Sequence, residues 1–181
     1  VYGTRIEDVD LSLGITDVFN IHAVYESLDD ADPILPSITL VEPTFFETKS
    51  IVTGKTSGAR ARVVDFNSST LKLSIVYLSG QFISGETVDG FNSSNIAIQG
   101  IINDSVGSIV AGSKVITDRY ELETGQTGFI YGISKLVRKK GVAKPIRKLK
   151  IVLDYYSHAA TGDYFAGQSY LDTPYADVPY Y

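Results

Sequence analysis

"FETKSIVTGKTSGARARVV" (46–64) and "FISGETVDGFNSSNIAIQG" (82–100) are one pattern written twice. Sliding the chain by 36 residues sets Phe46 on Phe82, Val52 on Val88, Gly54 on Gly90, Ser57 on Ser93 and Ala61 on Ala97. In each copy an aromatic residue leads into a short strand, a glycine turn follows, and a second strand leaves. The run between them alternates apolar and polar residues, with Leu71, Leu73, Ile75 and Tyr77 on one side. Two hairpin units joined by such a strand predict a small barrel of five or six strands and about 60 residues, which removes exposed edges by closing its sheet.

The first copy also holds Gly54-Lys55-Thr56, the closing triplet of a phosphate-binding loop. That loop needs a glycine five positions earlier, so that successive N–H groups can curl around the phosphates, and a helix afterwards. Position 49 is Lys49, and "ARARVVDF" (59–66) alternates as a strand does. In the repeat, Lys55 falls opposite Phe91. The triplet is turn chemistry, not a nucleotide site.

Period-2 patterning extends well beyond the repeat. Phe19, Ile21, Ala23 and Tyr25 alternate, as do Leu149, Ile151, Leu153 and Tyr155. Asn-Ser-Ser (67–69), Ser-Gly (79–80), Ser-Gly-Glu (84–86), Asp-Gly (89–90) and Lys-Lys-Gly (139–141) supply turns. No stretch sustains a 3.6-residue period with a cap, and "YESLDDAD" (25–32) offers one helical turn at most. The chain therefore reads as all-β. Pro33, Pro36 and Pro43 punctuate the approach to the repeat, and "NDSVGS" (103–108) punctuates its exit. These breaks predict a β-sandwich-like host domain formed by 1–42 and 106–181, with the small barrel, 43–105, inserted into a surface loop.

Composition narrows the function. Apolar residues make up 44% and charged residues 20%, enough for a packed core. A net charge of −5 opposes general nucleic-acid binding, which relies on a basic surface. No apolar run approaches the roughly 20 residues of a membrane helix. Cysteine is absent, which removes disulfides and thiolate metal sites. Methionine is absent too, which leads to the expectation that the chain is a segment of a longer polypeptide.

The side chains that could do chemistry are sparse. His22 lies within an alternating segment and His158 in a turn, and their spacing does not bring them together. Structural or surface roles are expected for both. Asp29, Asp30 and Asp32 form a solvated acidic loop. An irregular calcium site is the alternative, although Pro33 and the missing sixth-position glycine break the EF-hand pattern. There is no tryptophan for sugar stacking and no Gly-x-Ser-x-Gly nucleophile motif. Neither enzyme activity nor a cofactor is expected.

The most uneven charge lies at "RKKGVAKPIRKLK" (138–150), where seven of thirteen residues are basic and none is acidic. Its +7 leaves −12 on the remainder of the chain. Gly141 and Pro145 predict a hairpin here, with Lys148 and Lys150 on the polar side of the final strand. The stretch reads either as a solvated face that deters edge pairing or as a docking stripe for an acidic neighbour. Seven of the twelve tyrosines fall in the last 27 residues, and tyrosine suits interfaces because it joins broad apolar area to a polar tip. The expected partner-contact residues are Arg138, Lys139, Lys140, Lys144, Arg147 and Lys148, with Tyr175, Tyr180 and Tyr181 from the tail.

"YELETGQTGFIYGISKLVRKKG" (120–141), "LKIVLDYYSH" (149–158), "GDYFAGQSY" (162–170) and "YADVPYY" (175–181) resemble a family of large virion structural proteins of tailed bacteriophages. The likeness is strongest to those of marine, cyanophage-like myoviruses. It is carried by Tyr120, Leu122, Gly125 and Gln126, by the Gly-Asp-Tyr-Phe step at 162–165, and by the Pro-aromatic ending. Thr127 departs from it, standing where a basic residue is expected. The resemblance implies a building block of a tail, fibre or baseplate within the virion, contacting other virion subunits or copies of itself. Nucleic acid and membrane insertion are not expected. Two alternatives stay open. One is a host-receptor or glycan-binding module of a tail fibre, with Tyr77, Phe82 and Phe91 lining a groove; the other is a polysaccharide depolymerase.

Overall fold

A computed structural model describes residues 5–127 and 130–157. It is all-β. The 3-10 turn at Thr117–Arg119 is the only helical element among the described residues. The chain divides into two compact units, one built from residues up to 30 and from 115 onward, the other from 31–114.

The first unit contains β1 (Asp10–Ser12), β2 (Val18–Glu26), β11 (Tyr120–Glu123), β14 (Lys135–Arg138) and β15 (Leu149–Tyr155). A short pair, β12 (Gln126–Thr127) with β13 (Ile130–Tyr131), accompanies them. One three-stranded sheet runs β1-β14-β11, and another runs β10 (Lys114–Val115)-β2-β15. Leu11, Tyr120 and Leu136 from the first sheet share a core with Ile21, Val24, Leu149 and Ile151 from the second. Two sheets closing on one apolar layer make a sandwich. Each fully buried aliphatic side chain contributes about 2 kcal/mol from the removal of its surface from water.

The alternation predicted for β2 breaks at His22. Leu153 pairs with Ile21 and Val152 with Ala23, so His22 is an extra residue, a β-bulge. Beyond it the inward face shifts by one position. Val24, rather than Ala23, joins Ile21 in the core.

The second unit is one seven-stranded antiparallel sheet in the order β8-β7-β4-β5-β6-β3-β9. Its strands are β3 (Ser37–Thr39), β4 (Ile51–Gly54), β5 (Arg60–Asn67), β6 (Lys72–Ser79), β7 (Thr87–Phe91), β8 (Ala97–Ile101) and β9 (Ile109–Val110). Side chains from β3 through β8 meet in one core, including Ile38, Leu40, Val52, Ala61, Leu73, Ile75, Val88 and Ile102. A single sheet can enclose its own core only by curling. The curl returns β8 towards β3, where Leu40 and Ile102 form a bridge. The N–H of Val41 donates to Ile101 O at 2.9 Å, and the N–H of Asn103 donates to Thr39 O at 2.8 Å. The seam is this one bridge with its flanking bonds, not a full ladder.

The expected boundaries at 43 and 105 need correction. Ser37–Thr39 pairs with Lys72–Ser74 and with Ile109–Val110, and Ile38 and Leu40 are completely buried in the second unit's core. Pro33, Pro36 and Pro43 lie inside this unit, whose limits fall near residues 31 and 114.

The repeat supplies four neighbouring strands at one end of this sheet, β8-β7-β4-β5. Turn 47–50 matches turn 83–86: the N–H of Ser50 donates to Glu47 O, and the N–H of Glu86 donates to Ile83 O. The first strands, β4 and β7, pair with each other so that Thr53 lies opposite its own repeat partner, Asp89. The copies are therefore related by a local two-fold axis between those residues. The second strands follow a different spacing. Val52 lies opposite Ala61, whereas Val88 lies opposite Gly100, so the second hairpin is three residues longer. The counterpart of buried Ala61 is buried Gly100, and the expected partner Ala97 is exposed.

Candidate functional site

The loop that opened the phosphate question does hold an anion, and the anion is the protein's own. The N–H groups of Thr56 and Ser57 donate to Glu86 Oε2 at 3.1 and 3.0 Å. The Ser57 hydroxyl donates to Glu86 Oε1 at 2.8 Å, and the N–H of Ile83 donates to the same oxygen at 2.7 Å. Consecutive N–H groups turned one way form the concavity that phosphate loops exploit; here a buried carboxylate from the other repeat fills it. Gly54 is required at this point. A Cβ there would lie 2.5 Å from Ser57 Oγ and 2.6 Å from Glu86 Oε2. Burial pushes the Glu86 carboxyl pKa up, but donation from Ser57, Ile83 and Thr56 outweighs it and leaves the pKa below its usual value. Sequence reading took the triplet as turn chemistry and missed the carboxylate, because Glu86 lies 30 residues from Thr56.

A second polar constellation was also missed. His22 Nε2 lies 2.7 Å from Asp154 Oδ2, with both side chains largely buried. Asn20 Nδ2 lies 3.4 Å from the same imidazole nitrogen. The bulge in β2 places His22 against β15, and no spacing in the sequence announces it. His158, the other histidine considered, lies outside the described residues. Among the described residues no group of three or more His, Asp or Glu side chains is arranged to hold a metal ion.

The basic stretch is not a hairpin. β14 pairs with β1 and β11, whereas β15 pairs with β2, so residues 139–148 cross from one sheet of the sandwich to the other. The crossing is anchored at several points. Arg138 donates through Nη1 to Val142 O and through Nη2 to Glu7 O. Arg119 Nη1 donates to Ala143 O at 3.1 Å, and buried Glu26 accepts the N–H of Ile146 at 2.8 Å. Arg138 is thus a clamp rather than an outward contact. Lys139, Lys140, Lys144 and Lys148 are exposed, Arg147 is half-buried, and Ile146 stands 74% exposed among them. The cationic character is tempered locally, since Lys139 approaches Glu121 at 4.0 Å. Beneath the loop, the buried Tyr120 hydroxyl and Arg138 Nε have no hydrogen-bond partner. Tyr175, Tyr180 and Tyr181 lie outside the described residues.

The three rings proposed for a ligand groove do not assemble. Phe82 is buried in the core and packs against half-buried Tyr77 with ring centroids 5.6 Å apart. Phe91 alone faces outward, 47% exposed. The strand period explains the split. Val88 and Gly90 point inward on β7, so Asp89 and Phe91 point outward. Comparison with protein-family models, with curated proteins and with solved structures found no match to this chain.

Proposed function

We propose that this chain is a structural domain of a tailed-bacteriophage virion, part of a tail, fibre or baseplate, and acts through protein–protein contacts. One observation carries the reading most directly: the crossing loop 139–148 is held by Arg138, Arg119 and Glu26 while presenting Ile146 and its lysines outward. A loop fixed in advance loses little entropy on docking, and an apolar centre ringed by charge is the usual make-up of an interface hot spot. The resemblance of 120–141 and 149–158 to virion proteins supports the same reading. So does the inward use of Glu86 and His22, both of which are engaged within the fold. The partner is another virion subunit or a further copy of this chain, chosen by acidic complementarity to the loop.

The test is charge reversal at Lys139, Lys140 and Arg147 together with Ile146→Asp, read by sedimentation of the chain over a range of concentration and salt, and by incorporation into particles. Loss of association or incorporation is the expected outcome. Unchanged mass, salt dependence and incorporation would reduce the loop to a solvated crossing.

A further inference from the structure

Among the described residues β15 is the longest edge strand of the first unit, seven residues beside β2 with no described strand on its far side. Two hydrogen bonds fix which way its backbone points. The N–H of Ser27 donates to Lys148 O at 3.0 Å, and the N–H of Tyr156 donates to Asp17 O at 3.1 Å. The even-numbered positions at both ends thus turn their peptide groups towards β2. The extra residues that shift the register, Phe19 and His22, both belong to β2, so β15 alternates without interruption. Leu149, Ile151, Leu153 and Tyr155 accordingly point their N–H and C=O groups away from β2. An open edge of this length is a template for a further strand unless a proline, a bulge or unbalanced charge blunts it. β15 has no proline and no extra residue, and its single lysine, Lys150, is matched by Asp154.

The strand is also complementary to itself. Lys150 stands two residues before Val152, and Asp154 stands two residues after it. With two copies of β15 antiparallel and Val152 on the two-fold axis, Lys150 of each copy falls opposite Asp154 of the other. Ile151 then meets Leu153, and Leu149 meets Tyr155, apolar against apolar. These four are the residues whose peptide groups point outward, so one register closes the hydrogen-bond ladder and pairs the side chains. An axis at Ile151 would set Lys150 against Val152, and an axis at Leu153 would set it against Tyr156. Only the axis at Val152 joins the charges. Lys150 is exposed and able to reach across. Asp154 is steadied by His22 at 2.7 Å, and a carboxylate accepts more than one donor.

We propose that a second copy of this chain docks on β15, forming an isologous dimer in which the sheet β10-β2-β15 continues into the same three strands of the other copy. The proposal rests on the assembly reading and deepens it by naming one partner. It uses a surface other than the lysines and Ile146 of the crossing loop.

The chain contains no cysteine, so a single introduced thiol reports proximity cleanly. Val152 of the two copies would form a non-hydrogen-bonded pair with Cα atoms about 4.5 Å apart, within reach of a disulfide. Val152→Cys is expected to give a covalent dimer on mild oxidation. Val115→Cys, on β10 at the opposite edge of the same sheet, is expected not to. In sedimentation over a range of concentration the native chain should reach the mass of a dimer. Lys150→Glu sets like charges opposite each other twice and should weaken dimerisation about tenfold. A native chain that stays monomeric, or a Val152→Cys variant that cross-links no faster than Val115→Cys, would overturn the proposal. A thiol open to reagent would then mark an unused edge, and a shielded thiol an edge covered by residues 158–181. Cross-linking at Val152 alongside unchanged incorporation of the loop variants would keep this edge and remove the loop's role. Failed incorporation of the loop variants without cross-linking at Val152 would do the reverse.

Discussion

The two hairpins of the second unit begin alike and then part. In both, a turn of four residues precedes the strand, its third residue in the left-handed region: Lys49 at φ 69° and Gly85 at φ 77°. The fourth residue's carbonyl then accepts from the returning strand, Ser50 O from Val63 and Glu86 O from Ile102, both at 2.9 Å. The side chains at that fourth position diverge. Ser50 donates to Glu47 O within its own turn, whereas Glu86 reaches across the axis to the other copy's loop. Phe46 crosses in the opposite sense and lies over the second copy's glycines; a Cβ on Gly90 would stand 2.6 Å from its ring and one on Gly100 3.2 Å. The copies share the frame of turn and first strand, and they differ in the two cross-links that make each dependent on the other.

The largest effect is expected where the first copy grips the second. Phe46→Ala empties the space over two glycines whose backbones cannot close it, and a loss of about 4 kcal/mol is expected in denaturant unfolding. Phe82→Ala should cost less, because half-buried Tyr77 can move towards the gap. Equal losses would mean that the copies are packed alike.

The reverse link is electrostatic. Glu86→Ala leaves the N–H groups of Thr56, Ser57 and Ile83 without their acceptor, and about 3 kcal/mol should be lost. The Glu86 pKa lies below its unfolded value of 4.5. Its contribution is therefore complete above that value and disappears as pH falls through the folded pKa. Thermal midpoints of the native chain should fall with acid in that window more steeply than those of Glu86→Gln. Parallel curves would show that the carboxylate's charge is not what the nest holds.

The smallest effect sharpens the likeness rather than the difference. Lys49 occupies a backbone region where its repeat partner is glycine, so Lys49→Gly should stabilise by about 1 kcal/mol, while Gly85→Ala should destabilise by about as much. A loss of stability in Lys49→Gly would show that the turn's strain is relieved by its side chain.

Much of this was legible in the chain. The repeat, the all-β class and the insertion of one unit within another follow from alternation and turn residues, because strand faces and turns are written locally. What escaped was set by distance. Ser37–Thr39 is too short to show a period, so its place in the second unit's core appears only through its pairing. The longer second hairpin was hidden because Ala97 resembles Ala61 in type while Gly100 takes its position. The His22 bulge cannot be seen without Asp154 and the strand that carries it. Of the basic stretch, the charge was legible and the anchoring was not, since Glu7, Glu26 and Arg119 reach it from elsewhere in the sequence.

The second unit's beginning and end are tied side by side. Ile34 and Ser113 exchange bonds of 2.8 and 2.9 Å, and β3 and β9 continue the zipper inward. The eighty residues or so between them leave and return at one spot, as a bead hangs from a thread. Such an excursion can be shortened to a tight turn, replaced by another bead, or lost, with the covalent path on either side unbroken.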